Sequence, residues 1–363
     1  MSASTGENPL RLAVYSDATE IGGAENSLAT LVGALRADID LTVIGVDEAI
    51  AARIAGARAG CRTLIVPPVR NKLDLRPILG QLRAIRRLRP GIFHANLRQP
   101  WSCQYGLAAA LLTPGAKVLA VEHLPVPPSG WVQRRLKRAT SRRLDAHVSV
   151  GVRSARTLES LIGLEPGSIR TIHNGIAPLE SEPLPRPFAG PLLVAVGRLS
   201  RQKGFDILLR ALAELPGVSL LLIGDGPDRG ELERLRDELG LAERVRMTGW
   251  VDDARRYLGS ADILVVPSRW ESFPLVICEA MFLGLPVVAP DVGSIDEAVA
   301  DGETGFVVPP EDESALVEAL QRLLSDPDLR ASMGRRGYEI ASERFSAAQM
   351  AASFESLYEE MLR

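Results

Sequence analysis

Cysteine and histidine are scarce in this chain, three of the first and four of the second among 363 residues. Cys61, Cys103 and Cys278 are odd in number and far apart. They supply neither a disulfide framework nor a metal-ligand spacing, which fits a reducing cytosol. The scattered histidines and the lack of an aspartate-rich cluster give no reason to expect a metal. A surplus of positive charge is missing too: the net charge is -3, so nothing global points to nucleic acid. Glycine and proline interrupt the longest apolar runs, and no membrane-spanning helix is expected. The first residues, MSASTGENPL, are polar and do not read as a signal peptide, so the expected location is cytoplasmic.

What is present is an alternation of strand and helix. LRLAVYS, LTVIGV, GIFHAN, KVLAVEH, AHVSVG and SIRTIHN read as strands, GAENSLATLVGALR and DLRPILGQLRAIRRLR as helices. EPLPRPFAGP, with four prolines, suits neither. The alternation then restarts. PLLVAVG, VSLLLIG, VRMTG, ADILVVPS and LPVVAP read as strands, and GFDILLRALAEL, DRGELERLRDEL, DARRYLG and PLVICEAMFLG as helices. From about Asp312 the tail reads as helix. The strands are apolar throughout, as expected where helices cover both faces of a parallel sheet. The expectation is an α/β fold of two doubly wound, Rossmann-like domains facing across a cleft. They occupy residues 1–181 and 191–345, with a linker over 182–190 and a terminal helix over 346–363.

Open parallel sheets bind ligands beyond the carboxyl ends of their strands. In the first half those ends carry Gly22, Gly23 and Glu25, then His94 and Asn96, Glu122 and His123, and Asn174. In the second half they carry residues 198–204, 224–226 and 268–273. In VGRLSRQKGFDIL, Arg198 and Lys203 share one strand-to-helix loop. Two fixed cations there suit a diphosphate, a solvated basic loop being the alternative. The glycines of GDGPDRGEL let backbone approach a ligand, although the same residues also make an ordinary turn. Asp225 is placed to cap the helix or orient a neighbour.

In WESFPLVICEAMFLGLPVVAP, Glu279 is the single charge from Ser272 to Pro290. An unpaired carboxylate in a buried apolar run is costly. Pro274 fits the first helical position and Ser272 the N-cap region, so the N–H groups of residues 273–276 would meet an anion. Glu271 lies at the helix mouth. Glu279 lies more than a turn inside, where it could accept from the vicinal hydroxyls of a ribose or pair with an arginine from elsewhere. The residues alone leave both open.

In order along the chain, GGAE, TIHNGIA, VGRLSRQKGFDILLRAL, LLIGDGPDRGELERL and ESFPLVICEA resemble the retaining glycosyltransferases of family 4. Ser272 stands where many members have glycine. The resemblance implies the GT-B fold, with the final helix packing back on the first half. It implies that Arg198 and Lys203 hold the diphosphate of a nucleotide sugar and stabilise it as it leaves. Fixed cations of this kind lower the barrier because they need not reorganise. Glu279 would hold the ribose hydroxyls and Glu271 the hexose near its C3 hydroxyl. The backbone at Phe273, Pro274 and Leu275 would touch the distal phosphate, beside a loop carrying Gly224 and Asp225. His123 would contact the hexose, and Gly22 and Gly23 would admit donor phosphate and acceptor. Also implied are a UDP-sugar co-substrate with GDP-sugar as the alternative, no required cofactor or metal, and front-side attack with retention. A role in polysaccharide biosynthesis follows by analogy only.

The first half is expected to take the acceptor, a hydroxyl of a glycan, a lipid-linked sugar or a small molecule. Glu25, His94, Asn96 and Trp101 are the candidates, although ordinary strand-end hydrogen bonds explain His94 equally well. WVQRRLKRATSRR, residues 131–143, carries six basic side chains with Trp131, Val132 and Leu136. It reads as a solvated basic helix, with Trp131 in the core, or as a peripheral contact with an anionic membrane. A dehydrogenase is disfavoured because SDATEIGGAE lacks the dinucleotide fingerprint. The alternatives kept are a nucleotide-sugar epimerase of the same fold and a non-catalytic nucleotide-sugar-binding protein. A new glycoside formed in the presence of acceptor separates transferase from both.

Overall fold

The computed structural model describes residues 10–71, 73–178 and 182–363. Most of MSASTGENPL and the expected boundary at residue 181 lie outside the described residues. The chain divides into two compact units. One runs up to Gly175 and is completed by Ala347–Arg363, and the other is Ile176–Ser346.

The first unit is built on seven strands: β1 (Arg11–Ser16), β2 (Asp40–Gly45), β3 (Arg62–Ile65), β4 (Ile92–Leu97), β5 (Lys117–Glu122), β6 (Ala146–Ser149) and β7 (Arg170–Thr171). Their order is β3-β2-β1-β4-β5-β6-β7, all parallel. Val14 of β1 lies between Val43 of β2 and His94 of β4. The second unit has six: β8 (Leu192–Val196), β9 (Ser219–Ile223), β10 (Val245–Met247), β11 (Ile263–Val265), β12 (Val287–Pro290) and β13 (Gly305–Val308). Their order is β10-β9-β8-β11-β12-β13, again all parallel. Leu193, Leu220, Leu222, Val265 and Phe306 share one buried cluster with Leu208 and Leu212 of the helix Phe205–Ala213. Helices over the sheets bury strand side chains on both faces, which is why these strands are apolar at successive positions.

Three of the elements not separately expected show why a sequence signal can be weak. β3 is an edge strand with three of its four residues exposed or nearly so, and it shows no apolar run. The helix Gln104–Leu111 is alanine-rich and largely buried, so it has no polar face to give a helical period. β13 is only four residues long. The stretch 182–190 has neither helix nor strand, and it is fastened to the second unit. Leu184 N–H donates to the Arg256 carbonyl at 2.9 Å, and Arg186 pairs with Asp262 at 2.7 Å. Asp262 also accepts from the N–H of Leu192, the first residue of β8, at 2.8 Å.

The final helix, Ala347–Leu362, packs on the helix Gly23–Ala34. Its Tyr358 hydroxyl is 2.7 Å from His94 Nδ1, and its Phe354 ring lies 5.2 Å from the His94 ring. Arg36–Glu359 and Arg170–Glu360 pairs flank this buried contact at 2.8 and 2.5 Å.

Candidate functional site

In the second unit the strand order reverses between β8 and β11, the position at which open parallel sheets take their ligands. Lys203 comes from the first loop and Glu271 from the second. Lys203 Nζ lies 2.5 Å from Glu271 Oε1, and Ser268 Oγ donates to the same oxygen at 2.8 Å. The loops are laced beneath this pair. Arg269 N–H donates to the Gln202 carbonyl at 2.8 Å, and Gln202 Nε2 to the Trp270 carbonyl at 3.0 Å. The Arg269 guanidinium pairs with Asp206, in the first turn of Phe205–Ala213, at 2.8 Å.

Two glycines make this close approach possible. Gly204 has φ +64°, and a Cβ there would stand 2.1 Å from the Pro267 carbonyl oxygen. Gly224, after β9, has φ +133°, and its Cβ would stand 2.0 Å from the Gly197 oxygen. No other residue fits either position without moving backbone. Arg198 is exposed just beyond β8. Asp225 does not cap the following helix, as one reading had it. That helix is Arg229–Glu238 with Asp228 at its N-cap. Asp225 instead accepts from its neighbour Gly226 N–H at 2.8 Å and lies 3.8 Å from Arg229.

The helix carrying Glu279 is Leu275–Phe282, with Pro274 at the N-cap. The proline was expected one position further in. Its ψ of 118° is extended, so helical geometry starts only at Leu275. Phe273 is buried against Phe345, ring centroids 5.3 Å apart, and the buried Ser272 accepts from Ser294 N–H at 2.7 Å. The rim of the helix mouth is therefore fixed by packing. Glu279 is half-buried. Among the described residues no hydrogen bond or ion pair reaches its carboxylate. Arg255 is the opposite charge that acts on it, but the Arg255 guanidinium is held by Asp253 at 3.1 Å and by the Ala177 carbonyl at 3.2 Å. Burial pushes the pKa of Glu279 up to about 7, with Arg255 opposing and Asp253 adding to the rise. The arginine salt bridge left open from sequence is not formed.

In the first unit the order reverses between β1 and β4. Gly22 is the N-cap of Gly23–Ala34, and its N–H donates to Glu25 Oε2 at 3.0 Å. Asn96 near the end of β4 donates from Nδ2 to the Ala24 carbonyl at 3.1 Å. That turns its Oδ1 toward His123 Nε2 at 2.8 Å, so the histidine must donate from Nε2. Burial lowers the His123 pKa to about 4 although Glu122 opposes it. The ring is therefore neutral at pH 7, and Nδ1 is left as an acceptor.

Three of the four acceptor candidates face protein. His94 is 1% exposed, bonded to Tyr358, and burial lowers its pKa to about 3. Glu25 is 2% exposed and holds its own helix start, with Arg98 Nε 3.8 Å away. Asn96 is 2% exposed and positions His123. Only Trp101, in the loop after β4, is partly open. A cavity of about 10 Å³ beneath His94, Asn96 and His123 has room for one water at most. Ser268 lay within the strand-end stretch 268–273 but was given no role, because a serine at a strand end carries no signal until its partner is known. Among the described residues no group of three or more His, Cys, Asp or Glu is placed to hold a metal.

Residues 21–178 match the family model described as Glycosyltransferase Family 4, and residues 179–340 match the model described as Glycosyl transferases group 1. The chain is 37% identical over 163 residues to the lipopolysaccharide core biosynthesis glycosyltransferase LpsE of Rhizobium meliloti, 45% of this chain and 48% of that one. It is 33% identical over 177 residues to the alpha-D-kanosaminyltransferase of Streptomyces kanamyceticus, 47% of this chain and 46% of that one. The chain thus spans about half the length of these curated relatives in each match. Anabaena Alr3699/HepE, solved in complex with UDP-glucose, is similar in fold with a TM-score of 0.83 at 20% identity, covering 96% of this chain and 99% of that one.

Proposed function

The chain belongs to the family 4 glycosyltransferases of GT-B fold, and from that premise we propose that it moves a hexose or N-acetylhexosamine from a UDP-sugar to a hydroxyl of a glycan, lipid-linked or small-molecule acceptor. The observation that carries this reading is the unpartnered Glu279, a half-buried carboxylate beside a helix mouth at a sheet reversal. A ribose offers the two hydroxyl donors it lacks. UDP as the nucleotide is supported by the UDP and UDP-glucose held by Anabaena HepE.

In the proposed reaction the acceptor hydroxyl attacks the anomeric carbon on the face from which the diphosphate departs. The glycosidic C–O bond forms, the bond to the diphosphate breaks, and the hydroxyl proton passes to the departing phosphate oxygen. Configuration is retained. Arg198 and Lys203 meet the negative charge that develops on the diphosphate, and the N–H groups at the start of Leu275–Phe282 add to that field. Glu271 accepts from a hexose hydroxyl while Lys203 and Ser268 hold it in place. His123 Nδ1 accepts from a sugar hydroxyl.

The test is calorimetry and thermal shift with UDP, GDP, ADP and their sugar conjugates, on the wild type and on Arg198→Ala, followed by product analysis with acceptor. Binding of UDP ligands, weakened in the variant, and an acceptor-dependent glycoside with the donor's anomeric configuration are expected. GDP binding in place of UDP reassigns the base. Sugar conversion without acceptor means an epimerase, and binding without turnover on any acceptor class means a binding protein.

A further inference from the structure

The helix Trp131–Ser141 is turned opposite to most helices in a compact unit. Its Lys137 is buried, while Trp131, Val132 and Leu136 are 71%, 49% and 64% exposed. Helical spacing sets residues 131, 132, 135, 136 and 139 on one outward arc, and residues 142 and 143 follow at the same angles. Along it the exposed apolar side chains alternate with exposed Arg135, Arg142 and Arg143. The Arg135 guanidinium lies 6.0 Å from the Trp131 ring centroid.

An ion pair fixes this rotation. The Lys137 ammonium is bonded to Glu122, the last residue of β5, and Glu122 also faces His147 Nε2 of β6 at 3.0 Å. Burial alone would raise the Glu122 pKa, but Lys137 and His147 outweigh it and hold it at about 2. Turning the helix to bury Trp131 would take the ammonium away from Glu122 and leave that buried carboxylate with the His147 ring alone, which is strongly unfavourable. The apolar face is therefore held outward. The expectation that Trp131 packs into the core is not met.

We propose that this face seats the protein on an anionic lipid surface. Trp131, Val132 and Leu136 enter the boundary between headgroups and acyl chains, and Arg135, Arg142 and Arg143 meet lipid phosphates. Charge selects this occupant: a purely apolar partner would leave three arginines facing it unpaired, whereas an anionic bilayer satisfies both kinds of side chain. The helix is only about 16 Å long, so it lies along the surface. No helix among the described residues is long and apolar enough to cross a membrane. The proposal does not rest on the transferase reading, because lipid binding needs neither donor nor acceptor.

The experiment is co-sedimentation of the full chain with vesicles of phosphatidylcholine alone or mixed with phosphatidylglycerol, at low and high salt. Two variants are compared, Trp131→Ser with Leu136→Ser, and Arg142→Glu with Arg143→Glu. All four side chains are exposed, so circular dichroism and the thermal midpoint should stay as in wild type. Binding is expected only to the anionic vesicles. Each arginine contributes about fivefold, so the charge variant should lose at least about twentyfold, and high salt should act in the same direction. The apolar variant should lose about tenfold or more. The proposal is overturned if the wild type does not bind anionic vesicles, if neither variant changes binding, or if sedimentation velocity shows these residues joining two copies of the chain without lipid affinity.

Discussion

Replacing Glu279 by glutamine isolates what an unpartnered carboxylate does to this fold. The group's pKa rises from 4.5 to about 7 on folding, chiefly through burial. Between those values the unfolded chain has released a proton that the folded chain still holds. Stability from this site is therefore greatest at low pH, falls as pH rises through the window, and is fully lost above about 7. The gap, 7 − 4.5, is about 2.5 pH units, and at 1.36 kcal/mol per unit it amounts to about 3 kcal/mol. Partial exposure of the side chain makes that an upper bound. Glu279→Gln keeps the shape and removes the charge. It should melt several degrees above wild type at pH 8, and the difference should close toward pH 4.5. The same variant should bind UDP more weakly, because an amide offers one acceptor oxygen where a carboxylate offers two. Wild-type affinity for UDP should itself decline as pH falls below 7, while that of the variant stays flat. Thermal melts across this pH range, with calorimetry on UDP at each end, read both effects. A variant no more stable than wild type at pH 8, or a stability difference independent of pH, would refute the burial argument. Unchanged UDP affinity would refute the ribose assignment.

Three further substitutions probe other parts of the structure. Lys203→Ala should reduce turnover about a hundredfold or more with a smaller effect on nucleotide binding, and equal losses in both would mean that Lys203 acts in the ground state alone. Gly22→Ala should fold, because the added Cβ would meet only Glu25 Oε2 at 3.4 Å and Arg98 at 3.7 Å. Its stability should fall by no more than about 1 kcal/mol while turnover drops; intact turnover would show that no ligand approaches this backbone. Tyr358→Phe should cost about 1–3 kcal/mol in urea unfolding, because it strands the buried His94 Nδ1, and it should leave UDP binding unchanged.

The alternation of strands and helices was legible because buried parallel strands are apolar at successive positions and their helices are amphipathic. β3 was not, since an exposed edge strand lacks that signature. The two sheet reversals follow from the strand order, which no local pattern encodes. At the second of them, Lys203 and Glu271 could be named from their loops, but their 2.5 Å contact depends on close backbone approaches at two distant glycines, Gly204 against the Pro267 carbonyl and Gly293 against the Glu271 carbonyl. At the first, strand-end position suggested that His94 and Glu25 face a ligand. Their partners, Tyr358 and Gly22 N–H, were invisible from spacing, and those partners decide the matter.

Buried glutamates make the same point about Glu279. Among the described residues four others are more deeply buried: Glu25, Glu122, Glu159 and Glu271. Each has a protein group to answer it. Glu25 takes Gly22 N–H, Glu122 takes Lys137 and His147, Glu159 takes the N–H groups of Gly167 and Ile169, and Glu271 takes Lys203 and Ser268. A carboxylate in an apolar stretch is thus not by itself a sign of function, since the fold gives each of these four at least one donor, although Glu25 Oε1 and Glu122 Oε2 accept none. Glu279 differs because the fold supplies it no donor, while burial still opposes its charge. A ligand with paired hydroxyls would remove that cost on binding, and local rules broken without an internal compensation are where external partners are expected. Trp131 is the complementary case. The fold has the means to bury an aromatic side chain, yet the Lys137–Glu122 pair holds it in water, and the partner that would relieve it must again come from outside.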